Sequence, residues 1–245
     1  TGNARTGWDC YRRFIDMFGN VVMGPTTGLS HDDFEDAMSE LKKKYRAKED
    51  NDLTAEQLKE LCEIYKKVYV KKVKKPFPQD PFEQLTASVD AVFGSWNSER
   101  AEKYRQINKV TGLLGTAVNV CTMVFGNMGA ESGTGAAGTR DRATGAVEPR
   151  GEYLIDAQGE DVVAGIRTPL PMALADETDN NRGQSMEAKL PELYAEFVSL
   201  ASTLELHYRD MQDIEFTIEN SKLWLLQTRN GKRSANAAIT LASRF

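Results

Sequence analysis

Apolar and polar residues alternate with two different periods along this chain. Trp8, Tyr11, Phe14, Ile15 and Phe18 recur at three- and four-residue steps, which places them on one face of a helix. Gly19 and Asn20 follow and are expected to end it. Ser30 can cap a second helix over 32–44, with Asp32 and Asp33 in its first turn, where the helix dipole favours negative charge. Thr54 and Gln57 have the spacing of a capping box. The helix they open has a buried stripe of Leu58, Leu61, Cys62, Tyr65, Val68 and Tyr69. The lysine pairs 66–67, 71–72 and 74–75 could form a phosphate patch, but they read as a solvated face near the favourable end of the dipole. Pro76, Pro78 and Pro81 stop that helix and mark a linker or subdomain boundary. Two further helices are predicted, over 81–93 and 99–108.

Beyond them the period drops to two. Val118, Val120, Thr122 and Val124 alternate with Ala117, Asn119, Cys121 and Met123, which predicts a strand over 118–125. Shorter strand-like runs cover 151–157, 161–166, 213–218 and 222–228. The last two are joined by a hairpin-like turn, Glu219-Asn220-Ser221, and a long helix over 190–209 precedes them. The acidic, polar segment 173–188 reads as an exposed loop. Helices first and strands later predict an α+β fold. Its parts are an N-terminal helical subdomain over 1–80, connecting helices and strand entry over 81–120, and a sheet-bearing lobe over 121–245.

Composition narrows the function classes. The 245 residues are 40% hydrophobic and 27% charged, enough for one sizeable core or two small ones. The formal net charge of -5 argues against DNA or RNA as a partner, because phosphate-binding surfaces are basic. No apolar run is long enough to span a bilayer. Cys10, Cys62 and Cys121 share no metal-like spacing, and reduced thiols are expected. His31 and His207 are too far apart in sequence to suggest a zinc site, and both read as structural or surface residues. The first residues, Thr1 to Arg5, lack an initiator Met and a signal-peptide core, and read as a boundary within a longer chain.

Two segments carry candidate chemistry. Gly126, Gly129, Gly133 and Gly135 lie within ten residues, and backbone without side chains can bring N–H groups close to a polyphosphate. The spacing fits neither a Walker loop nor a dinucleotide fingerprint, so a flexible hairpin tip is the competing reading. The second segment is Asp213-Ile-Glu215-Phe-Thr-Ile218 with Leu226-Gln227-Thr-Arg229. Strand alternation puts Asp213 and Glu215 on one face, and Gln227 and Arg229 on one face. Paired as a hairpin, they can bring two carboxylates, an amide and a guanidinium together. Carboxylates suit Mg²⁺ and the guanidinium suits a phosphate. A surface array of ion pairs is the alternative.

Asp-Ile-Glu-Phe-Thr and Leu226-Gln-Thr-Arg-Asn-Gly-Lys-Arg233 resemble the closing ATP-grasp hairpin of pyruvate phosphate dikinases. Gly126 to Gly135, Gly151 to Pro169, Tyr11 to Phe18, and Ser95-Trp-Asn97 with Arg100-Ala101 resemble the same family, so the likeness runs through nearly the whole chain. Phosphoenolpyruvate synthases share Asp-x-Glu and Leu-Gln-x-Arg but usually continue with Arg-Pro, whereas here Arg229 is followed by Asn230-Gly231-Lys232. The resemblance implies an ATP-grasp-like antiparallel sheet lobe beside the helical subdomain. It implies that Asp213, Glu215 and Gln227 hold Mg²⁺ and nucleotide, that Arg229 grips phosphates, that Glu160 and Asp161 lie in a strand contacting adenosine, and that Thr134 and Gly135 belong to a glycine loop near the transferring phosphates.

The implied parent uses ATP, phosphate and pyruvate. Its phosphohistidine domain, pyruvate site and a further cationic lobe would lie outside this chain, which alone is expected to be inactive. A homodimer in cytosol, plastid or glycosome is the implied setting. Departures from the family pattern are Cys121 for a Gln, Asp156 for an Asn, Gly138 for an aromatic and Arg142 for a Pro. A non-catalytic nucleotide-binding or docking module is the reading from a different class.

Overall fold

In the computed structural model, which describes residues 3–163 and 167–243, the chain divides into two compact units, 1–121 and 122–245. The first unit is helical. Helix α1 spans Ala4–Met17, and the Asn3 side chain accepts from the Arg5 and Thr6 amides at its start. It does not end at Gly19. The helix passes through a π turn, Phe18–Met23, and a further turn, α2 (Gly24–Thr27), and stops at Gly28, whose φ of 70° is left-handed. Gly19 serves packing: a Cβ there would lie 2.7 Å from the Phe34 ring and 2.9 Å from Leu29. A glycine that lets two side chains approach is indistinguishable, in sequence, from one that ends a helix.

Helix α3 (His31–Tyr45) begins where expected, with the Ser30 amide donating to Asp33 Oδ2 at 3.0 Å. Helix α4 (Ala55–Val73) opens on the Thr54–Gln57 capping box: the Thr54 amide donates to Gln57 Oε1 at 2.9 Å and the Gln57 amide to Thr54 Oγ1 at 3.3 Å. Helices α1, α3 and α4 and the π turn bury Ile15, Phe18, Phe34, Met38, Leu58, Leu61 and Tyr65 in one core. Each such side chain contributes about 1.5–3 kcal/mol when removed from water. Phe77, between two of the prolines, joins this core edge-on to Phe18 and Tyr69, with ring centroids 5.4 and 5.2 Å away. Lys71 and Lys72 fall in the last turn of α4, as expected for a solvated basic end.

Buried charge in this unit is paired. Asp9 accepts from Arg12 at 2.8 Å and from Arg13 at 3.2 Å, while Asp50 accepts from Arg12 at 2.9 Å and Lys42 at 2.7 Å. Burial pushes the Asp50 carboxyl up, but Arg12 and Lys42 outweigh it and hold the group below its ordinary range. Helices α5 (Pro81–Ser95) and α6 (Glu99–Ile107) follow as predicted and have no fully buried residue.

The expected strand over 118–125 is absent: no described strand pairs with it, and Val120 and Met123 are exposed. Alternation supplies the side-chain pattern of a strand, but a ladder also needs a partner backbone.

The second unit is built on a five-stranded antiparallel sheet in the order β3-β2-β1-β4-β5. Its strands are β1 (Gly133–Gly138), β2 (Arg150–Ile155), β3 (Leu170–Pro171), β4 (Gln212–Glu219) and β5 (Lys222–Asn230). Asn220 and Ser221, both at positive φ, make the two-residue turn between β4 and β5. The fold class is α+β, as the element order predicted.

Tyr153, Ile214, Phe216 and Ile218 cover one sheet face and meet Phe197 and Ala201 of helix α9 (Pro191–Tyr208). The buried Arg140–Glu205 pair, at 2.8 Å, and the Thr139 hydroxyl donating to Glu205 at 2.7 Å tie the end of β1 to α9. Residues 161–163 of the predicted strand over 161–166 are helical. Residues Gly159–Val163 form a short helix, α7, started by Asp161, whose carboxylate accepts the Gln158 amide at 2.8 Å; residues 164–166 lie outside the described set. Nor is 173–188 a bare loop. Glu177 accepts the Gly183 and Ser185 amides, a short helix α8 (Met186–Lys189) follows, and Met186 is in the core. A last helix, α10 (Ala235–Ala242), packs through Ala237 and Leu241.

Candidate functional site

The sheet face opposite α9 carries the polar residues. Residues directly opposite on neighbouring strands share a face. Reading across the sheet, Arg150, Gly138, Asp213 and Arg229 form one row, and Glu152, Ala136, Glu215 and Gln227 the next. A third row, Leu154, Thr134, Thr217 and Trp224, is buried over its first three members. The predicted meeting of Asp213, Glu215, Gln227 and Arg229 therefore occurs, and a β-bulge brings it about. From the turn to Phe216, β4 and β5 pair in one register, in which Glu215 would face Leu226. The register shifts between Glu215 and Phe216, so that Glu215 faces Gln227 and Asp213 faces Arg229. One extra residue thus turns a mixed row into a polar one.

Ion pairs organise these groups. Arg229 Nη2 lies 3.5 Å from Glu215 Oε1, with both side chains well exposed, so the pair is weak and separable. Arg142 Nη2 donates to Asp213 Oδ1 at 2.8 Å, and the Asp213 side chain is only 10% exposed. Arg150 is held by Glu148 and Asp176. A cavity of about 700 Å³ opens over this part of the face, lined among others by Ala136, Arg142, Arg150 and Glu152. A somewhat larger cavity of about 810 Å³ lies in the helical unit beside Trp8, Tyr11 and Lys66, and neither cavity is lined by Asp213, Glu215, Gln227 or Arg229. We take the sheet face as the site, because convergent polar side chains define a site better than volume does.

The remaining candidates lie elsewhere. Thr134 and Gly135 are not in a loop but in the central strand β1. Thr134 Oγ1 donates to the Phe216 carbonyl at 3.1 Å, and a Cβ on Gly135 would stand 2.5 Å from the Phe216 ring. Both hold the sheet together from within. The glycine-rich loop proper, 126–132, is fastened at both sides. Gly129 N donates to Asp156 Oδ1 at 3.1 Å, and the Ser221 amide donates to the Glu131 carbonyl at 2.8 Å. Asp156 thus has a clear local role, at a left-handed φ of 48°. Glu160 and Asp161 sit on α7 rather than a strand; Asp161 is buried and Glu160 half-buried.

Among the described residues no group of three or more His, Cys, Asp or Glu side chains could hold a metal ion by itself. His31 Nδ1 meets Asp16 on the surface of the helical unit, and His207 lies edge-on to the Tyr208 ring. Two carboxylates and one amide at Asp213, Glu215 and Gln227 nevertheless fit Mg²⁺. That ion takes one or two carboxylates and completes its shell with water and substrate phosphate.

Comparison with known proteins gives the family. The family model for the pyruvate phosphate dikinase AMP/ATP-binding domain matches residues 77–199 and 184–242. The chain belongs to the pyruvate phosphate dikinase family. The chloroplastic pyruvate, phosphate dikinase of Flaveria pringlei is 51% identical over 98% of this chain and 23% of its own length. Pyruvate, phosphate dikinase 1, chloroplastic, of Arabidopsis thaliana is 50% identical over 97% of this chain and 23% of its own. For pyruvate, phosphate dikinase 2 of Zea mays the values are 51%, 97% and 25%. The chain thus spans about a quarter of the length of these dikinases.

Arg142, Arg150 and Glu152 were not among the candidate residues, yet they border the same face. Arg150 and Glu152 could have been found from the alternation within β2, which puts them on one face. Arg142 has no periodic signal, because it reaches the face from a turn.

Proposed function

We propose that this chain is the ATP-binding part of a pyruvate phosphate dikinase, the enzyme that converts ATP, phosphate and pyruvate to AMP, pyrophosphate and phosphoenolpyruvate. The observation that carries the reading is the bulged hairpin that gathers Asp213, Glu215, Gln227 and Arg229 on one sheet face. In this reading Asp213, Glu215 and Gln227 hold Mg²⁺. When bound, the ion supplies charge neutralisation on the phosphate oxygens. Arg229 leaves its loose contact with Glu215 and takes a phosphate through its planar fork. Glu160, at the α7 edge, lies on the adenosine side. Thr134 and Gly135 act beneath the site by holding β1 against β4.

The face presents the β-phosphate to a His on a separate, swivelling domain, and positioning with electrostatic stabilisation does the catalytic work. The fit of the donor set and the names of the relatives support this reading. The word "chloroplastic" in two of those names supports a plastid setting. No helix among the described residues is long and apolar enough to cross a membrane.

The test uses the full-length enzyme and its two half-reactions. Glu215→Ala and Arg229→Ala should each lower phosphorylation of the His by ATP by about 100-fold or more, the effect of losing one positioned charge-stabilising group. Phosphorylation of the same His by phosphoenolpyruvate should be unchanged. Equal loss in both directions, with a collapsed melting transition, would make these residues a structural ion-pair array instead.

A further inference from the structure

Arg142 is placed directly on the proposed metal-binding carboxylate Asp213. Its Nη2 stands 2.8 Å from Asp213 Oδ1. Asp213 is nearly buried, its side chain 10% exposed, whereas that of Arg142 is 56% exposed. The two partners therefore differ in freedom: the carboxylate is fixed in the sheet and the guanidinium is anchored only by its own backbone. That backbone is well held. Ser234 N donates to the Arg142 carbonyl at 3.0 Å and Ser234 Oγ to the Ala143 carbonyl at 2.7 Å. Asp141 closes the same turn by accepting from the Ala143 and Thr144 amides at 2.8 and 2.7 Å.

Gly138, directly opposite Asp213 on β1, stands beside the path by which the arginine reaches the carboxylate. A Cβ there would lie 3.6 Å from both Asp213 Oδ1 and Arg142 Nε. The guanidinium also borders the cavity that opens over the sheet face, so it has somewhere to go when it leaves.

We infer that Arg142 is a displaceable counter-ion: it occupies Asp213 while the site is empty, and a divalent cation must evict it to bind. This rests on the proposal that Asp213 is a metal ligand. The physical consequence is selection against the bare ion. A free cation meets an already neutralised carboxylate and must break a charge-assisted hydrogen bond. A cation arriving with a polyphosphate brings an anion that can receive the evicted guanidinium. Arg142 is thus a positioning residue whose effect is on metal loading.

The test is a titration of the 245-residue chain with Mn²⁺ alone, without nucleotide, following the free ion by electron spin resonance. The variants are Arg142→Ala, Asp213→Asn and the double substitution, with thermal melting to verify folding. Arg142→Ala should tighten Mn²⁺ binding roughly three- to tenfold, the range set by a half-exposed charge-assisted contact. Asp213→Asn should weaken it, and the double variant should behave as Asp213→Asn. Should Arg142→Ala not fold, Arg142→Gln removes the charge while keeping most of the stem, and the same tightening is expected. Unchanged or weaker binding on loss of the arginine charge, with Asp213→Asn still weakening it, would overturn the counter-ion role and leave the metal site standing. Indifference of Mn²⁺ binding to Asp213→Asn would overturn both the metal site and this inference.

Discussion

The buried network of the helical unit and the open face of the sheet treat charge in opposite ways. In the first, Asp9, Arg12, Arg13, Asp50 and Lys42 are drawn into an internal network beside an aromatic core of Phe18, Phe34, Tyr65, Tyr69 and Phe77. Such a network stabilises only while every member is paired, because a lone buried charge costs several kcal/mol. In the second, the apolar side chains lie on the α9 side, and Glu215, Gln227 and Arg229 stand on the open face in contacts that break easily. The difference separates stability from function. The helical unit locks its buried charges into one network, while the open sheet face keeps separable charges.

This contrast can be broken first at its largest element. Phe34→Ala empties a fully buried site at the centre of the helical core and should cost about 3–5 kcal/mol. Glu215→Ala, in the same urea or thermal melts, should change stability by no more than about 0.5 kcal/mol, as for exposed positions. Comparable losses for the two would erase the distinction between a core and a site.

A smaller effect is expected at the floor of the sheet. The Cβ added by Gly135→Ala would meet the Phe216 ring at 2.5 Å and the Glu152 carbonyl at 2.6 Å. Backbone cannot yield as a side-chain tip does, so a loss of about 1–3 kcal/mol is expected, felt in the sheet unit. Unaltered melting would mean that β1 and β4 are not packed as described.

The smallest effect sharpens the comparison through pH. Asp50 is held below its ordinary value by Arg12 and Lys42 despite its burial. A carboxyl with a lowered folded-state pKa contributes stability above the unfolded value near 3.8, and that contribution disappears as pH falls through the folded one. Urea midpoints of the chain should therefore fall on acidification below about pH 4. Asp50→Asn should already lack that increment, on the order of 1 kcal/mol, at neutral pH and lose less of it in acid. Parallel pH profiles for the two proteins would remove Asp50 from the stability of the helical unit.

Much of this molecule is written in local pattern. The capping residues at Ser30 and Thr54, the stripes of α1 and α4, the span of α9 and the β4–β5 hairpin are all readable from the chain, because cap chemistry and side-chain period act within a few residues. The four polar residues of the hairpin could be named from alternation for the same reason. The tertiary structure decided the rest. Gly19 continues a helix because Phe34 and Leu29 need the space. The alternating run over 118–125 has no described partner strand and forms none. Asp161 starts a short helix in place of a strand. The bulge at Glu215 turns Gln227 and Arg229 to face the two carboxylates, and Arg142 meets Asp213 only because the turn at 141–144 is fastened to Ser234. Register and turn placement depend on backbone groups far apart in sequence, whereas period and cap chemistry are settled within a few neighbouring residues.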